Sequence, residues 1–147
     1  MLYRYDNNNN IDSMKIVDFQ LSAYDYGVKD LIFFMISSAK KDVIDNNLDE
    51  LISLYYESFI DCLSLLKIEQ TKFTREKFDK ILLESAPLKF SQCIMMTEII
   101  KSARGTAPEL QSIKNKNEFL NTGKGKIYED KLIHVLQTFV KRGWLVE

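Results

Sequence analysis

The feature that most constrains the fold is an apolar stripe that runs through residues 44–66. Its members recur at spacings of three and four, so they lie on one face of a helix of about six turns. The stripe comprises Ile44, Leu48, Leu51, Ile52, Tyr55, Phe59, Cys62 and Leu66. Acidic residues mostly occupy the other faces of this helix. The sequence therefore predicts one long amphipathic helix here.

Further helical segments flank this long helix. Residues 30–36 are apolar on nearly every side and predict a buried helix that starts at Asp30. A helix that opens at Thr74 is expected to stop at Pro87, and another is expected over residues 90–100. The last helix is predicted from Tyr128 to Val140. Together these patterns predict about five helices.

The end of the last helix carries a recognisable stop signal. Gly143 stands where a C-terminal cap belongs, and Trp144 and Leu145 follow as the apolar residues that usually fold back onto such a helix. The polar segment 111–126 before this helix is interpreted as a mobile connection.

A β-hairpin is predicted before the helices. Residues 2–5 are of strand type, residues 6–10 tolerate turn geometry, and residues 14–19 resume strand character. The asparagine run between the two strands is interpreted as a polar loop. The predicted fold class is therefore α+β and mainly helical, with a short N-terminal hairpin and no second complete domain within residues 1–147.

Composition narrows the classes of function. The 20 basic and 21 acidic side chains nearly balance, which gives no compositional case for binding nucleic acid or a polybasic attachment to membranes. The longest apolar run, residues 31–36, is too short for a membrane span, for which about 20 residues are needed. Cys62 and Cys93 show neither disulfide nor zinc spacing and are expected to be buried thiols, so a reducing, cytoplasmic location is predicted.

Several other patterns are interpreted as structural. The single histidine, His134, is expected at the surface or flank of the last helix, where it lacks the partners for nucleophilic catalysis. The pairs Phe33–Phe34 and Tyr55–Tyr56 are expected to be core residues, as aromatic pairs at helical positions usually are. The segment 123–126 lacks the spacing of a phosphate-binding loop and predicts a basic surface loop.

Asp18 is the most informative polar residue. It ends an apolar strand-like run, Ile16-Val17-Asp18-Phe19-Gln20, with a turn expected next. A carboxylate beside a buried strand needs compensation, and Mg²⁺ supplies it in phosphoryl-transfer sites. The alternative is that Asp18 is a turn or capping aspartate, and this short run of residues by itself favours that alternative.

A wider set of residues resembles the ecdysteroid kinase-like family, a branch of the choline kinase and aminoglycoside phosphotransferase group. The resemblance rests on Ile16-Val17-Asp18-Phe19-Gln20-Leu21-Ser22, on Asp30-Leu31-Ile32-Phe33-Phe34, and on Leu2-Tyr3-Arg4-Tyr5-Asp6. It extends through the long helix and Ala107-Pro108-Glu109-Leu110 to Lys141-Arg142-Gly143-Trp144-Leu145, nearly the whole chain. Gln20, where choline kinases typically carry an acid, favours the ecdysteroid kinase-like branch.

The resemblance implies the C-terminal lobe of a protein-kinase-like fold. It also implies that Asp18 coordinates the Mg²⁺ that bridges the phosphates of ATP, which reverses the preference for a turn aspartate. Asp30 matches the second aspartate of the family and is expected, with Gln20, to support the site structurally. A helix-start acid remains an equal interpretation of Asp30. The implied acceptor is a small lipophilic alcohol.

The sequence also departs from the family. It contains no His-Gly-Asp catalytic loop, which the resemblance would place immediately before Met1 together with the catalytic base. Gly27 stands where relatives often carry proline. We therefore expect a C-terminal fragment of an ATP- and Mg²⁺-dependent small-molecule kinase, inactive as this isolated chain and with no catalytic residue of its own. The alternative is a non-catalytic helical remnant or interaction module, prone to self-association through its exposed lobe interface.

Overall fold

The computed structural model describes residues 2–17, 23–101 and 126–145. In that part of the chain, a two-stranded antiparallel hairpin precedes four helices. The strands are β1 (Leu2–Tyr5) and β2 (Ile11–Lys15), and the helices are α1 (Gly27–Ser38), α2 (Lys41–Leu65), α3 (Arg75–Lys101) and α4 (Lys126–Lys141). The expectation of a mainly helical α+β chain is confirmed.

The second strand begins earlier than predicted, at Ile11 rather than Met14. The cause is the loop, in which the carboxylate of Asp6 accepts hydrogen bonds from the backbone N–H groups of Asn8 (2.9 Å) and Asn10 (2.8 Å). Asn9 takes a positive φ of 63°, which asparagine tolerates better than most residues. The loop therefore closes by Asn10. Residues 18 and 19, the end of the predicted strand, lie outside the described residues.

Helix α1 starts at Gly27, three residues before the predicted position. Asp25 explains the early start, because its carboxylate accepts a hydrogen bond from the backbone N–H of Tyr26 (2.8 Å) and pairs with Lys29 (2.7 Å). The hydrogen bond from Lys29 is the main reason that the pKa of Asp25 is lowered. Helix α1 is buried on one side only, since Phe34 is 42% exposed.

The two helices predicted on either side of Pro87 are one continuous helix, α3, so the expectation of about five helices is corrected to four within the described ranges. Proline removes one helical hydrogen bond, to the carbonyl four residues earlier. Pro87 and Leu83 are both exposed, so this carbonyl lies on the side of the helix where water can hydrate it. Ala86 and Cys93 are fully buried on either side of the proline, and their packing favours an uninterrupted helix.

The core lies where α1, α3 and α4 meet, with the first half of α2 against it. Its most buried members are Ile32, Ile36, Ala86, Cys93, Val135 and Phe139. The ring of Phe139 makes edge contacts with Phe90 (5.1 Å between centroids) and Trp144 (5.3 Å). Such pairs add about 0.5–1.5 kcal/mol to the stabilisation from burial.

The predicted cap of the last helix is confirmed. Gly143 has a φ of +64°, its N–H donates to the carbonyl of Val140, and the N–H of Trp144 donates to the carbonyl of Phe139. These two bonds form a Schellman motif, and Trp144 folds back until only 3% of it is exposed. The end of the chain is thereby attached to the core.

The cysteines and the histidine depart in part from expectation. Cys93 is buried, which raises the pKa of its thiol to about 11, but Cys62 is exposed on α2, although the next residue, Leu63, is buried. His134 is not at the surface: it is 4% exposed, and its Nε2 lies 2.8 Å from Oδ1 of Asp45. Because Asp45 on α2 pairs with the ring of His134, this polar ring can be buried on the inner face of α4.

Candidate ligand cleft

Of the site residues that the sequence singles out, only Asp30 lies within the described residues. Asp18 and Gln20 lie outside them, so their roles stay predictions. Asp30 occupies the first turn of α1, as expected for a helix-start acid, and is exposed. Within residues 2–17, 23–101 and 126–145, no three His, Cys, Asp or Glu side chains are grouped as metal ligands would be.

An open cleft lies between the start of α1, the second half of α2 and the start of α3. Its volume is about 150 Å³. Its lining is almost wholly aromatic and aliphatic: Tyr26, Gly27, Val28, Tyr55, Tyr56, Phe59, Phe73, Phe78 and Ile81. The cleft is therefore chemically suited to an apolar group.

One wall of the cleft is held by a network around Tyr56 and Arg75. The hydroxyl of Tyr56 donates to the backbone carbonyl of Phe73 (2.9 Å), which ties α2 to the segment before α3. The guanidinium of Arg75 lies 5.5 Å from the ring centre of Tyr56 and 5.9 Å from that of Phe78, within the range of a cation–π contact. Asp79 accepts from Nε of Arg75 (2.8 Å), so the positive charge on this wall is paired.

The opposite wall brings Tyr55 against Gly27. A Cβ atom at position 27 would lie 2.7 Å from the hydroxyl oxygen of Tyr55, closer than such contacts occur. Glycine is therefore the residue that allows this approach without a shift of the ring. Burial, and to a lesser degree the charge of Asp30, raise the pKa of Tyr55.

The two tyrosines differ in how their hydroxyls are used. The hydroxyl of Tyr56 is occupied by the carbonyl of Phe73. The hydroxyl of Tyr55 makes no hydrogen bond to any other part of the chain that the structure describes. Tyr55 therefore presents a hydrogen-bonding group to an otherwise apolar cleft.

The sequence interpretation of Tyr55 and Tyr56 as core residues is wrong. Both are only partly buried: the hydrogen bonds that reach α2 from His134 and Arg142 fall on its first half, and Tyr55 and Tyr56 line the open cleft. The available signal was the density of aromatic residues, since Tyr55, Tyr56 and Phe59 fall within about one turn of α2, while Phe73 lies just before the next helix and Phe78 in its first turns.

A second polar site joins α2 to α4. Asp45 pairs with both Lys41 and His134, and the hydrogen bond from Lys41 is the largest cause that lowers the pKa of Asp45 to about 2. Four residues further along α2, Asp49 pairs with Arg142 (2.8 Å), whose hydrogen bond lowers the pKa of Asp49. These contacts link α4 and the turn after it to the first half of α2.

Comparison with known proteins identifies one family. The family model described as "Ecdysteroid kinase-like family" matches residues 1–68, just under half of the chain. This range contains Asp18, Gln20, Asp30, Gly27 and Tyr55, and it confirms the resemblance over the part of the chain that carries the Asp-Phe-Gln segment. No curated protein and no solved structure shows significant similarity to the chain.

Proposed function

We propose that this chain forms part of a kinase-like phosphotransferase, in which it supplies a metal-binding aspartate and the apolar wall that receives a small lipophilic alcohol. The match of residues 1–68 to the ecdysteroid kinase-like family carries the proposal. In this reading the chain corresponds to the C-terminal lobe of the kinase-like fold, and its site is cytoplasmic.

Asp18 is the residue to which the proposal assigns the metal. In this role its carboxylate holds the Mg²⁺ that neutralises charge on the phosphates of ATP. The chain offers one such ligand and no His-Gly-Asp loop, and phosphoryl transfer also needs a group that orients the attacking hydroxyl. We therefore expect weak binding of Mg-ATP and no phosphorylation by these 147 residues alone.

The aromatic cleft supports the acceptor half of the proposal. It begins at the N-terminus of α1, on the segment that follows Asp18 in the chain, and its lining of aromatic and aliphatic side chains suits an apolar part of the acceptor. Among the described helices, none has the length and apolarity required to cross a bilayer.

A thermal shift measurement tests the part of the proposal that concerns binding of metal and nucleotide. Millimolar Mg-ATP is expected to raise the melting temperature of the chain, since a ligand that binds only the folded state stabilises it. Asp18→Asn is expected to abolish this shift. Asp61→Asn, which neutralises an exposed carboxylate on α2, is the matched control and keeps the shift. No shift with the unaltered chain, or an equal shift with Asp18→Asn, would contradict the proposal.

A second candidate, a non-catalytic interaction module, is favoured by the hairpin. Its residues Tyr3, Tyr5, Ile11 and Met14 are 46–60% exposed, and they pair across the two strands on one face. An exposed apolar face on an isolated hairpin favours association. Light scattering across a concentration series distinguishes this candidate from the proposed kinase-like function. The interaction module predicts a dimer that Tyr5→Lys and Ile11→Lys disrupt. A chain that stays monomeric at all concentrations would exclude the module.

A further inference from the structure

We infer that the outer face of α4 is a self-association surface, on which a second copy of this chain docks with its own α4 antiparallel to the first. The surface consists of Ile133, Leu136 and Val140, with Asp130 and Lys141 on one flank. It shares no residue with the hairpin or the aromatic cleft, and the inference does not depend on the proposed function.

The inner face of α4 is unusually polar for a helix that packs on a core. Lys131, His134 and Thr138 are only 4–9% exposed. Nζ of Lys131 donates to the carbonyl of Ala39 (3.0 Å), and the hydroxyl of Thr138 donates to the carbonyl of His134 (2.8 Å). The ring of His134 pairs with Asp45 (2.8 Å). These partners allow polar side chains to be buried where an amphipathic helix usually places apolar ones.

The outer face of α4 carries apolar side chains instead. Ile133 is 51% exposed, Leu136 39% and Val140 65%. Their spacings of three and four residues place them in one stripe along the helix. Removing a row of aliphatic side chains from water is favourable, and an exposed row of this kind is typical of an interaction surface.

The stripe is self-complementary when two copies meet about a two-fold axis. In such an interface, each residue contacts its counterpart reciprocally in the other copy. With Leu136 next to the axis, Ile133 of one copy faces Val140 of the other, because these two positions lie three residues before and four residues after Leu136. All three apolar residues of each copy are then covered by the same residues of the other.

The charges on one flank of the stripe favour the same antiparallel arrangement. Asp130 and Lys141 are exposed and lie about three turns apart, so they project from the same side of α4. Neither forms an ion pair or a hydrogen bond with another side chain in the described ranges. Antiparallel pairing brings Asp130 of one copy to Lys141 of the other, twice in each dimer. Parallel pairing would bring like charges together, which is unfavourable.

Sedimentation equilibrium of the full chain, over a concentration series that reaches millimolar protein, tests the inference. One helix face is smaller than a standard interface, which buries about 800 Å² on each partner, so a weak dimer is expected. Added salt should weaken it further, because both ion pairs are exposed.

Charge reversal tests the antiparallel arrangement itself. Asp130→Lys and Lys141→Glu each place like charges at both contacts, and each is expected to weaken the dimer about tenfold or more. An equimolar mixture of the two variants is expected to form a heterodimer, because both contacts again join opposite charges. A mixture that associates no better than either variant alone would overturn the inference.

Apolar variants locate the surface. Leu136→Lys is expected to abolish the dimer, whereas Leu54→Lys, at a residue of α2 that is 56% exposed, is the matched control and keeps it. Tyr5→Lys in the hairpin should also keep it. A chain that is monomeric at every concentration, or a dimer lost with Tyr5→Lys and kept with Leu136→Lys, would overturn the inference. Circular dichroism checks folding, and the charge-reversal mixture decides the test if Leu136→Lys does not fold.

Discussion

The two halves of α2 differ in how they use their apolar face. In the first half, Ile44, Leu48 and Ile52 are 2–6% exposed and lie in the core, and Asp45 and Asp49 pair with residues of α4 or the turn that follows it. In the second half, Tyr55 and Tyr56 face an open cleft and stay partly exposed. One continuous stripe in the sequence thus serves packing at one end and an accessible surface at the other.

This difference shows that the spacing of apolar residues predicts which residues share a helix face. It does not predict whether that face is buried in the core or lines a cleft. Aliphatic residues in the first half are covered by neighbouring helices, whereas the second half carries large rings with polar tips. Such rings bind apolar groups and offer hydrogen bonds at the same time. Stability should therefore depend on the packed end, and ligand binding on the cleft end.

The largest effect is expected from Phe139→Ala at the packed end. Phe139 is fully buried between Phe90 and Trp144, and loss of such a ring costs about 3–5 kcal/mol of unfolding free energy. Phe73→Ala in the cleft removes a ring that is 37% exposed and should cost less than half as much. Urea denaturation of both variants measures the difference, and equal costs would mean that the cleft rings belong to the core.

A smaller effect is expected where α4 joins α2. Asp45→Ala leaves the buried ring of His134 without its partner, and a buried polar group left unpaired costs about 1–3 kcal/mol. His134→Leu should cost less, because Asp45 is 40% exposed and water can hydrate it. Chemical denaturation at pH 7 compares the two variants. A larger loss with His134→Leu would show that packing of the ring, and not its hydrogen bond, holds α4.

The end of α2 allows a stabilising substitution of about 1 kcal/mol. Lys67 has a φ of 56°, and its N–H and that of Ile68 donate to the carbonyls of Ser64 and Leu63 in a Schellman motif without glycine. Lys67→Gly removes the steric cost of this conformation, about 1 kcal/mol. Lys72→Gly, at an exposed turn position without a positive φ, is the control and should not stabilise. Thermal melts that show no gain with Lys67→Gly would contradict the assigned geometry.

The smallest effect concerns pH. The pKa of Asp45 is lowered from 3.8 to about 2, with Lys41 as the largest cause, so its contribution is full above pH 3.8 and is lost as the pH falls towards 2. Lys41→Met should therefore reduce stability above pH 4 and match the unaltered chain near pH 2. Stability curves from pH 7 to 2 test this, and a constant gap down to pH 2 would contradict the role of Lys41.

Elements governed by local rules were predictable from the sequence. The long helix, the last helix and the Gly143 cap follow from spacing and cap chemistry within a few residues. Pro87 was misinterpreted because the continuity of α3 depends on packing against α1 and α4, which local rules do not include. The burial of His134 depends on Asp45, 89 residues away in the chain.

The sequence and the structure identify different parts of the candidate site. Motif resemblance predicts Asp18 as a metal ligand, and this prediction remains to be tested. The cleft was not predicted, because Tyr55 reaches Gly27 only when α1 and α2 pack together, and no spacing in the sequence reports that approach. The aromatic density around residues 55–59 and 73–78 was the one signal present.

The central claim is the proposal that Asp18 holds a metal-bound nucleotide and that the aromatic cleft receives the acceptor. Paramagnetic relaxation from Mn-ATP measures this directly, because Mn²⁺ replaces Mg²⁺ and broadens nearby NMR signals even when binding is weak. The account predicts selective broadening at Val17, Gly27 and the ring of Tyr55, all lost in Asp18→Asn. Broadening confined to Asp45 and Asp49 on α2, or unchanged in Asp18→Asn, would contradict it.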